Sequence, residues 1–423
     1  MKLLKLLLAT TLLCSTSLSL RAQKYVGGDI SLLPKYEEAG VVYKDKSGNT
    51  VSDVLTFFHQ EGLNAMRVRL FVDPTKDSDK AVCQDLAYVK ALGKRIKDAG
   101  MKLILDFHYS DTWADPAKQW TPDAWKALSD EQLYTKIYDY TKESLEQMVA
   151  AGATPDFIQT GNEISFGMMW GTEAAASSNN NNRCYTNSPE ANWTRFITLL
   201  KQSGKACRDV CPEAKIIIHS ERTPQPAVLT DFFDRMKAAS LDYDIIGLSY
   251  YPAYHHDLAT LETALTTLEE KNYGKDIMIV ETGYCYAWAL NDKDRDGKED
   301  DFDYTATYPY TEEGQRQFTA DLVNKLNAHQ SVKGLFWWWM EDNGNKNVTN
   351  SWWNAALYNH DTGKPFAAFY ELKKFDNTSA GLPGIKNDQS KDTSWYSIDG
   401  KRLESEPSRC GIYINSGKKK IVR

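Results

Sequence analysis

Pro155-Asp-Phe-Ile-Gln-Thr-Gly-Asn-Glu-Ile164 opens with a proline, runs apolar through Phe157 and Ile158, and turns polar at Asn162-Glu163. A strand buried on both faces is a near-continuous apolar run, not an alternating one. This stretch therefore describes a buried strand that delivers a carboxylate at its C-terminal end. A glutamate in that place is costly unless it is paired or used. What the rest of the chain brings to the same place decides between the two.

Working outward, the pattern recurs on both sides. Strand-like runs fall at 25–30, 64–72, 102–107, 215–219, 243–249, 276–281 and 332–339. Between them, helical spacing appears at about 50–62, 86–99, 129–151, 190–206, 226–238, 257–271 and 312–327, with a short helix near 365–374. Strands alternating with helices imply a parallel sheet with crossover helices. Eight such units point to an α/β protein of the (β/α)8 TIM-barrel class, and no GxGxxG fingerprint supports a doubly wound sheet.

The ends of the chain differ from its middle. Lys2 and Lys5 precede an apolar run, Leu6 to Leu13, too short to span a bilayer, and residues 1–22 have the form of a cleaved signal peptide. Export is expected, to the exterior, the cell surface or the periplasm, and Cys14 leaves a lipid anchor open. The barrel is expected over 23–376, a linker rich in Gly, Ser, Asn and Asp over 377–393, and a β-rich tail over 394–423. Two hairpins are expected in the tail, with turns at Asp399-Gly400 and Ser416-Gly417. That tail is too small for a sizeable core of its own.

Of the 423 residues, 12 are Trp and 23 are Tyr, and the net charge is −7. An acidic chain does not favour nucleic acid or other polyanions. Aromatic-rich acidic proteins suit neutral, hydroxyl-rich ligands. Seven cysteines include Cys14 in the leader. The other six allow 15 pairings, and free buried thiols with at most one bridge are the favoured reading. No CxxC or Cys/His cluster suggests zinc.

Barrel chemistry sits at the C-terminal ends of the strands. The second strand carries Arg67 and Arg69 on one side, since side chains alternate along a strand. The third ends in Asp106-Phe-His-Tyr-Ser-Asp-Thr-Trp-Ala-Asp-Pro116, the fourth in Asn162-Glu163, the fifth in His219, the sixth in Ser249-Tyr250-Tyr251, the seventh in Glu281 and the eighth in Trp337-Trp338-Trp339. Two glutamates across a barrel mouth, about 5–5.5 Å apart, suit retaining glycoside hydrolysis, in which one protonates the leaving oxygen and the other attacks the anomeric carbon. Their surroundings must separate the two pKa values, and Arg67 offers the charge that keeps a neighbouring carboxylate ionised.

Arg on the second strand, Asn-Glu on the fourth, Glu on the seventh and Trp on the eighth resemble the large retaining clan of (β/α)8 glycoside hydrolases. Gly28-Asp-Ile-Ser31, Met66-Arg-Val-Arg-Leu-Phe-Val-Asp-Pro74, the strand-three motif, Gly161-Asn-Glu-Ile164 and Val280-Glu-Thr-Gly-Tyr284 resemble the endo-β-1,4-galactanases of glycoside hydrolase family 53 over residues 24–375. The resemblance implies a retaining endo-hydrolase of β-1,4-galactan, acting as a monomer. It implies Glu163 as acid/base and Glu281 as nucleophile. Arg67, His108, Asn162 and Tyr250 are then expected around the sugar at the cleavage point, with Trp113, Asp115 and Trp338 shaping the groove. The triple Trp leaves the register of Trp338 open by one residue. The chain departs from the family at the eighth loop, where Trp-Trp-Met-Glu-Asp342 stands in place of Trp-Glu-Pro. A mannanase or glucanase of the same clan and a non-catalytic glycan-binding barrel are the alternatives.

Asp292-Lys-Asp-Arg-Asp-Gly-Lys-Glu-Asp-Asp-Phe-Asp303 sets carboxylates at loop positions 1, 3, 5, 9 and 12, with glycine at 6. That is the spacing of a calcium loop. Asp292, Asp294, Asp296 and Lys298 (through its carbonyl) are the expected ligands of a structural Ca2+, and the resemblance supports it. His255-His256 is expected as a surface pair. Trp120, Trp125, Trp170 and Trp193 either stack on sugars or pack, with one or two expected as subsites.

Overall fold

The computed structural model describes residues 23–172, 182–349, 351–375 and parts of 395–422. The barrel begins with β1 (Tyr25–Asp29), α1 (Leu33–Glu38), α2 (Val54–Gln60), β2 (Ala65–Leu70), α3 (Leu86–Asp98), β3 (Lys102–Phe107), α4 (Asp130–Ala150) and β4 (Phe157–Thr160). It continues with α5 (Glu190–Val210), β5 (Lys215–Ser220), α6 (Pro226–Ala238), β6 (Ile245–Tyr250), α7 (Pro252–His255), α8 (Leu258–Lys271), β7 (Asp276–Thr282), α9 (Glu312–Ala328), β8 (Val332–Trp337) and α10 (Ala367–Leu372). The strands pair in chain order, all parallel, and β8 closes on β1. This is a (β/α)8 TIM barrel.

Helix starts are marked in the sequence. Asp53, Asp85, Ser129, Asp257 and Thr311 each accept a hydrogen bond from the backbone N–H three residues on. Each such cap is worth about 1 kcal/mol against alanine. The outward faces of the strands join the helices in one large apolar cluster. Inside the barrel, a smaller layer of Ala65, Ile104, Phe157, Ile217, Ile245, Met278, Val280 and Phe336 fills the lower half. Counting on by two from this layer reaches Arg67, Asp106, Gln159 and His219, and then the mouth.

One irregularity aims the C-terminal end of β7. Leu248 of β6 pairs with Ile279, but the next residue, Ser249, pairs with Glu281. Val280 is the extra residue of a bulge, and it faces the interior. Met278 and Val280 already point inward, so strict alternation sends Glu281 out among the helices. The bulge returns it to the barrel mouth, which is how bulges re-aim side chains beside active sites.

Residues 381–423 form a second compact unit. Its strands β9 (Trp395–Ser397), β10 (Arg402–Leu403), β11 (Gly411–Asn415) and β12 (Lys418–Val422) make one antiparallel sheet in the order β10-β9-β11-β12. The expected turns at 399–400 and 416–417, the leader 1–22 and Cys410 lie outside the described residues. Cys83, Cys184, Cys207, Cys211 and Cys285 are free thiols.

Candidate active site

At the mouth of the barrel a cavity of about 730 Å³ is lined by Glu163, Glu281, Asn162, Trp113, Asp115 and Trp338, together with Glu221, Tyr251, Tyr254, His255, Trp339 and Trp352. Six of the residues expected from the sequence thus meet at one place. A larger hollow, about 980 Å³, opens at the other end of the barrel. Three of its lysines are in ion pairs, Lys97 and Lys102 with Asp156 and Lys215 with Asp244.

Glu163 follows β4 on a tight turn, with Gly161 at φ 106° and Glu163 itself at φ 47°. A non-glycine residue in the left-handed region is uncommon and is tolerated where surroundings fix it. Here three contacts do so. Ser249 Oγ donates to Glu163 Oε1 at 2.6 Å, the Glu163 N–H donates to His219 Nδ1 at 3.2 Å, and Gln119 Nε2 donates to the Asn162 carbonyl at 2.7 Å. Burial raises the Glu163 carboxyl well above the ordinary range, and the charges of Glu281 and Glu221 raise it further.

Glu281 has different company. Its Oε1 lies 2.9 Å from Arg67 Nη2, and its Oε2 accepts from Tyr251 Oη at 2.9 Å. Burial raises this carboxyl as well, but Arg67 and the Tyr251 hydrogen bond oppose the rise. The two carboxyls are thus separated: Glu163 is raised well above the ordinary range, while Glu281 rises only to about 7, which makes Glu281 the more readily ionised of the two.

Arg67 is fully buried and is the hub beneath the site. Its Nη2 donates to Asp106 Oδ2 at 2.7 Å and to Asn162 Oδ1 at 2.8 Å, and its Nη1 donates to Asp29 Oδ2 at 3.3 Å. Arg69 shares Asp29 at 2.8 Å and lies 4.7 Å from the Trp113 ring centre. A guanidinium of fixed fork geometry suits this multidentate role. Arg67 therefore acts from below the cavity, through Glu281 and Asn162.

Three expectations need correction. His108 does not line the cavity; it is 1% exposed. Its Nδ1 accepts the Ala114 N–H at 3.1 Å, so its proton is on Nε2, which faces Asp106 Oδ2 at 3.1 Å. It positions the loop that carries Trp113 and Asp115. Tyr250 is also buried, donates to the His256 carbonyl at 3.0 Å and packs on Phe318 of α9. The inward tyrosine is Tyr251. Ser249 points inward to Glu163, and alternation then turns Tyr250 out and Tyr251 in. His255 is no surface residue: it is buried and lines the cavity, and its Nδ1 accepts the Tyr251 N–H at 3.0 Å.

The aromatic floor is Trp113, Trp338 and Trp339, with Trp338 and Trp339 stacked at 5.3 Å and Trp113 about 6 Å from each. Inward alternation through Gly334 and Phe336 selects Trp338, while Trp337 turns outward and donates to the Ala355 carbonyl at 2.8 Å. Trp125, Trp170 and Trp193 are buried packing residues, and Trp120 rests edge-on against Trp170. The cavity uses Trp339, Trp352 and Tyr254 instead, from positions after strand ends that composition alone does not separate from other aromatics.

In the loop after β7, Asp292, Asp294 and Asp300 bring carboxylate oxygens within 4.8 Å of one another. Asp292 Oδ2 accepts the Gly297 N–H at 3.0 Å, the turn expected when glycine holds position 6, and Asp292 Oδ1 is buried with no hydrogen-bond donor. That orphaned oxygen and the hard all-oxygen set fit a calcium ion. Asp296 caps the Lys298 N–H at 2.9 Å and stands outside the three-carboxylate group, which Asp300 completes. Asp303 turns away to cap Thr305.

A (β/α)8 barrel with two unlike glutamates at the ends of its fourth and seventh strands defines a glycoside hydrolase. The family profile described as Glycosyl hydrolase family 53 matches residues 25–371. The chain is 31% identical over 345 residues to the arabinogalactan endo-β-1,4-galactanase of Cellvibrio japonicus, covering 79% of this chain and 86% of that protein. It is 30% identical over 317 residues to the endo-β-1,4-galactanase of Bacillus subtilis, covering 74% and 68%. The solved family 53 catalytic domain of Ignisphaera aggregans superposes with a TM-score of 0.70 at 30% identity, covering 83% of this chain and 95% of that one. The protein belongs to glycosyl hydrolase family 53.

Proposed function

We propose that this enzyme is an endo-acting, retaining β-1,4-galactanase that cleaves the galactan chains of arabinogalactan. The observation that carries this is the unequal environment of the two glutamates: Arg67 and Tyr251 oppose the rise at Glu281 and favour its anion, while burial and like charge favour the protonated Glu163. In the first step a Glu281 oxygen bonds to the anomeric carbon, the glycosidic bond breaks, and the Glu163 proton passes to the leaving oxygen. In the second, Glu163 takes a proton from water, the water oxygen bonds to the anomeric carbon, and Glu281 is released. Galactose carries its axial O4 on one face and a C–H patch on the other, which suits the Trp338–Trp339 floor. The named relatives act on galactan, and that supports the substrate.

We also read the Asp292–Asp300 loop as a structural Ca2+ site, held by Asp292, Asp294, Asp300 and the Lys298 carbonyl, with Asp296 as an outer partner. Calcium there supplies charge compensation to the loop after β7 and takes no part in the hydrolysis. The leader at 1–22 supports export. Reducing-sugar release from galactan, mannan and cellulose tests the substrate. Release from galactan alone is expected, and release from mannan alone contradicts the reading.

A further inference from the structure

Glu163 is held at both ends by one closed circuit. Its backbone N–H donates to His219 Nδ1 at 3.2 Å. His219 is buried and lies near Arg67, and both lower its proton affinity, so it is the neutral imidazole. A neutral imidazole that accepts at Nδ1 carries its proton on Nε2. Gln159 Nε2 and Asn162 Oδ1 each lie 3.1 Å from the same Nδ1, and the Glu163 N–H, whose direction the backbone fixes, sets that nitrogen as the acceptor. Nε2 lies 2.9 Å from Ser249 Oγ, whose oxygen must accept there. The one proton of Ser249 is then committed to Glu163 Oε1, at 2.6 Å. Each donor direction follows from the one before, and the chain of three hydrogen bonds returns to the residue it left.

We propose that His219 and Ser249 are positioning residues that fix Glu163 Oε1 as an acceptor, so that the acid carries its proton on Oε2 and presents it to the leaving oxygen. This rests on the reading of Glu163 as the acid/base. An acid free to bind its proton on either oxygen spends part of its time with the proton turned from the glycosidic bond. The circuit removes that alternative, and once the proton has left, the Ser249 hydrogen bond stabilises the carboxylate. Glu281, Glu221 and Asp115 face Glu163 with negative charge, and Arg222 neutralises Glu221 at 2.9 Å.

The test compares two substrates in Ser249→Ala: galactan, whose leaving oxygen needs a proton, and an aryl β-galactobioside with a dinitrophenolate leaving group, which needs none. On galactan kcat is expected to fall on the order of 10-fold, a part of the 10²–10⁴ that general acid catalysis contributes. Glycosylation of the enzyme by the aryl substrate is expected to stay within about two-fold, since it involves no acid. The alkaline limb of kcat/KM on galactan is expected to move to higher pH, because the hydrogen bond that favours ionised Glu163 is gone. Ser249→Thr, which keeps the hydroxyl, is expected to restore both. If Ser249→Ala does not fold, Ser249→Cys, a near-isostere with a weak donor, is expected to give the same substrate-dependent pattern. Equal losses on both substrates with an unmoved pH profile overturn the proposal. Glu163→Ala separates this from the parent reading: it must lose galactan activity and keep aryl glycosylation if Glu163 is the acid, whatever Ser249 does.

Discussion

Tyr250 and Tyr251 are adjacent and chemically identical, yet only one serves Glu281. Tyr251 donates to Glu281 Oε2, and Tyr250 donates to a backbone carbonyl among the outer helices. A hydrogen bond to a charged group is worth about 1.5–3 kcal/mol, so Tyr251→Phe is expected to lower kcat/KM on galactan by roughly 10- to 100-fold. Tyr250→Phe is expected to leave kcat/KM within about two-fold. Steady-state kinetics on the two variants checks this, and the reverse order contradicts the assignment. The period of two was readable in the sequence, and Ser249 as an inward residue was the missing anchor. Glu163 and Glu281 were legible because each stands at the C-terminal end of a buried strand, whereas the triple Trp left Trp338 open by one residue until inward alternation from Phe336 selected it. Glu221 was not: it follows His219 by two, but nothing in the local sequence says that the strand stays inward past Ser220.

At the scale of elements, the two loops beside Glu281 make separate predictions. Asp292, Asp294 and Asp300 crowd three carboxylates together, which is unfavourable without a cation. EDTA is expected to lower the melting temperature of the wild-type enzyme, calcium to restore it, and Asp292→Ala to abolish the response; differential scanning fluorimetry reads all three. The proposal of calcium there began from the sequence, because the carboxylates follow the spacing of a calcium loop. The departures at Asp296 and Asp303 were not legible, since both side chains are claimed by neighbouring N–H groups. In loop 8, Glu341 and Asp342 are both fully buried. Burial lifts the Asp342 carboxyl to about 6. Its folded-state value exceeds the unfolded one, near 4, so its contribution to stability is full below pH 4 and is lost as the pH rises through about 6. Asp342→Asn is expected to flatten the fall in stability between pH 4 and 7 by up to about 3 kcal/mol. Urea unfolding across that range measures it, and an unchanged pH dependence contradicts it. The bulge at Val280 has no sequence signal at all. It is set by the pairing of β6 with β7.

For the whole molecule, the barrel interior is arranged by height. Apolar side chains fill the lower layer, the buried Asp29–Arg67–Asp106 network sits above it, and the two glutamates stand at the mouth. The eightfold alternation made the architecture readable from the start, because mostly apolar strand runs alternated with segments of helical spacing. The contacts across the barrel were not readable, since they join residues far apart in the chain and depend on which side chains share a layer. In the proposed mechanism Glu281, beside Arg67 and Tyr251, is the nucleophile and Glu163 the acid. Incubation with a 2-deoxy-2-fluoro-β-galactobioside bearing an activated leaving group, followed by digestion and mass spectrometry, tests it directly. A stable glycosyl ester on Glu281 is predicted. A label on Glu163, or turnover by Glu281→Gln at the wild-type rate, contradicts these roles.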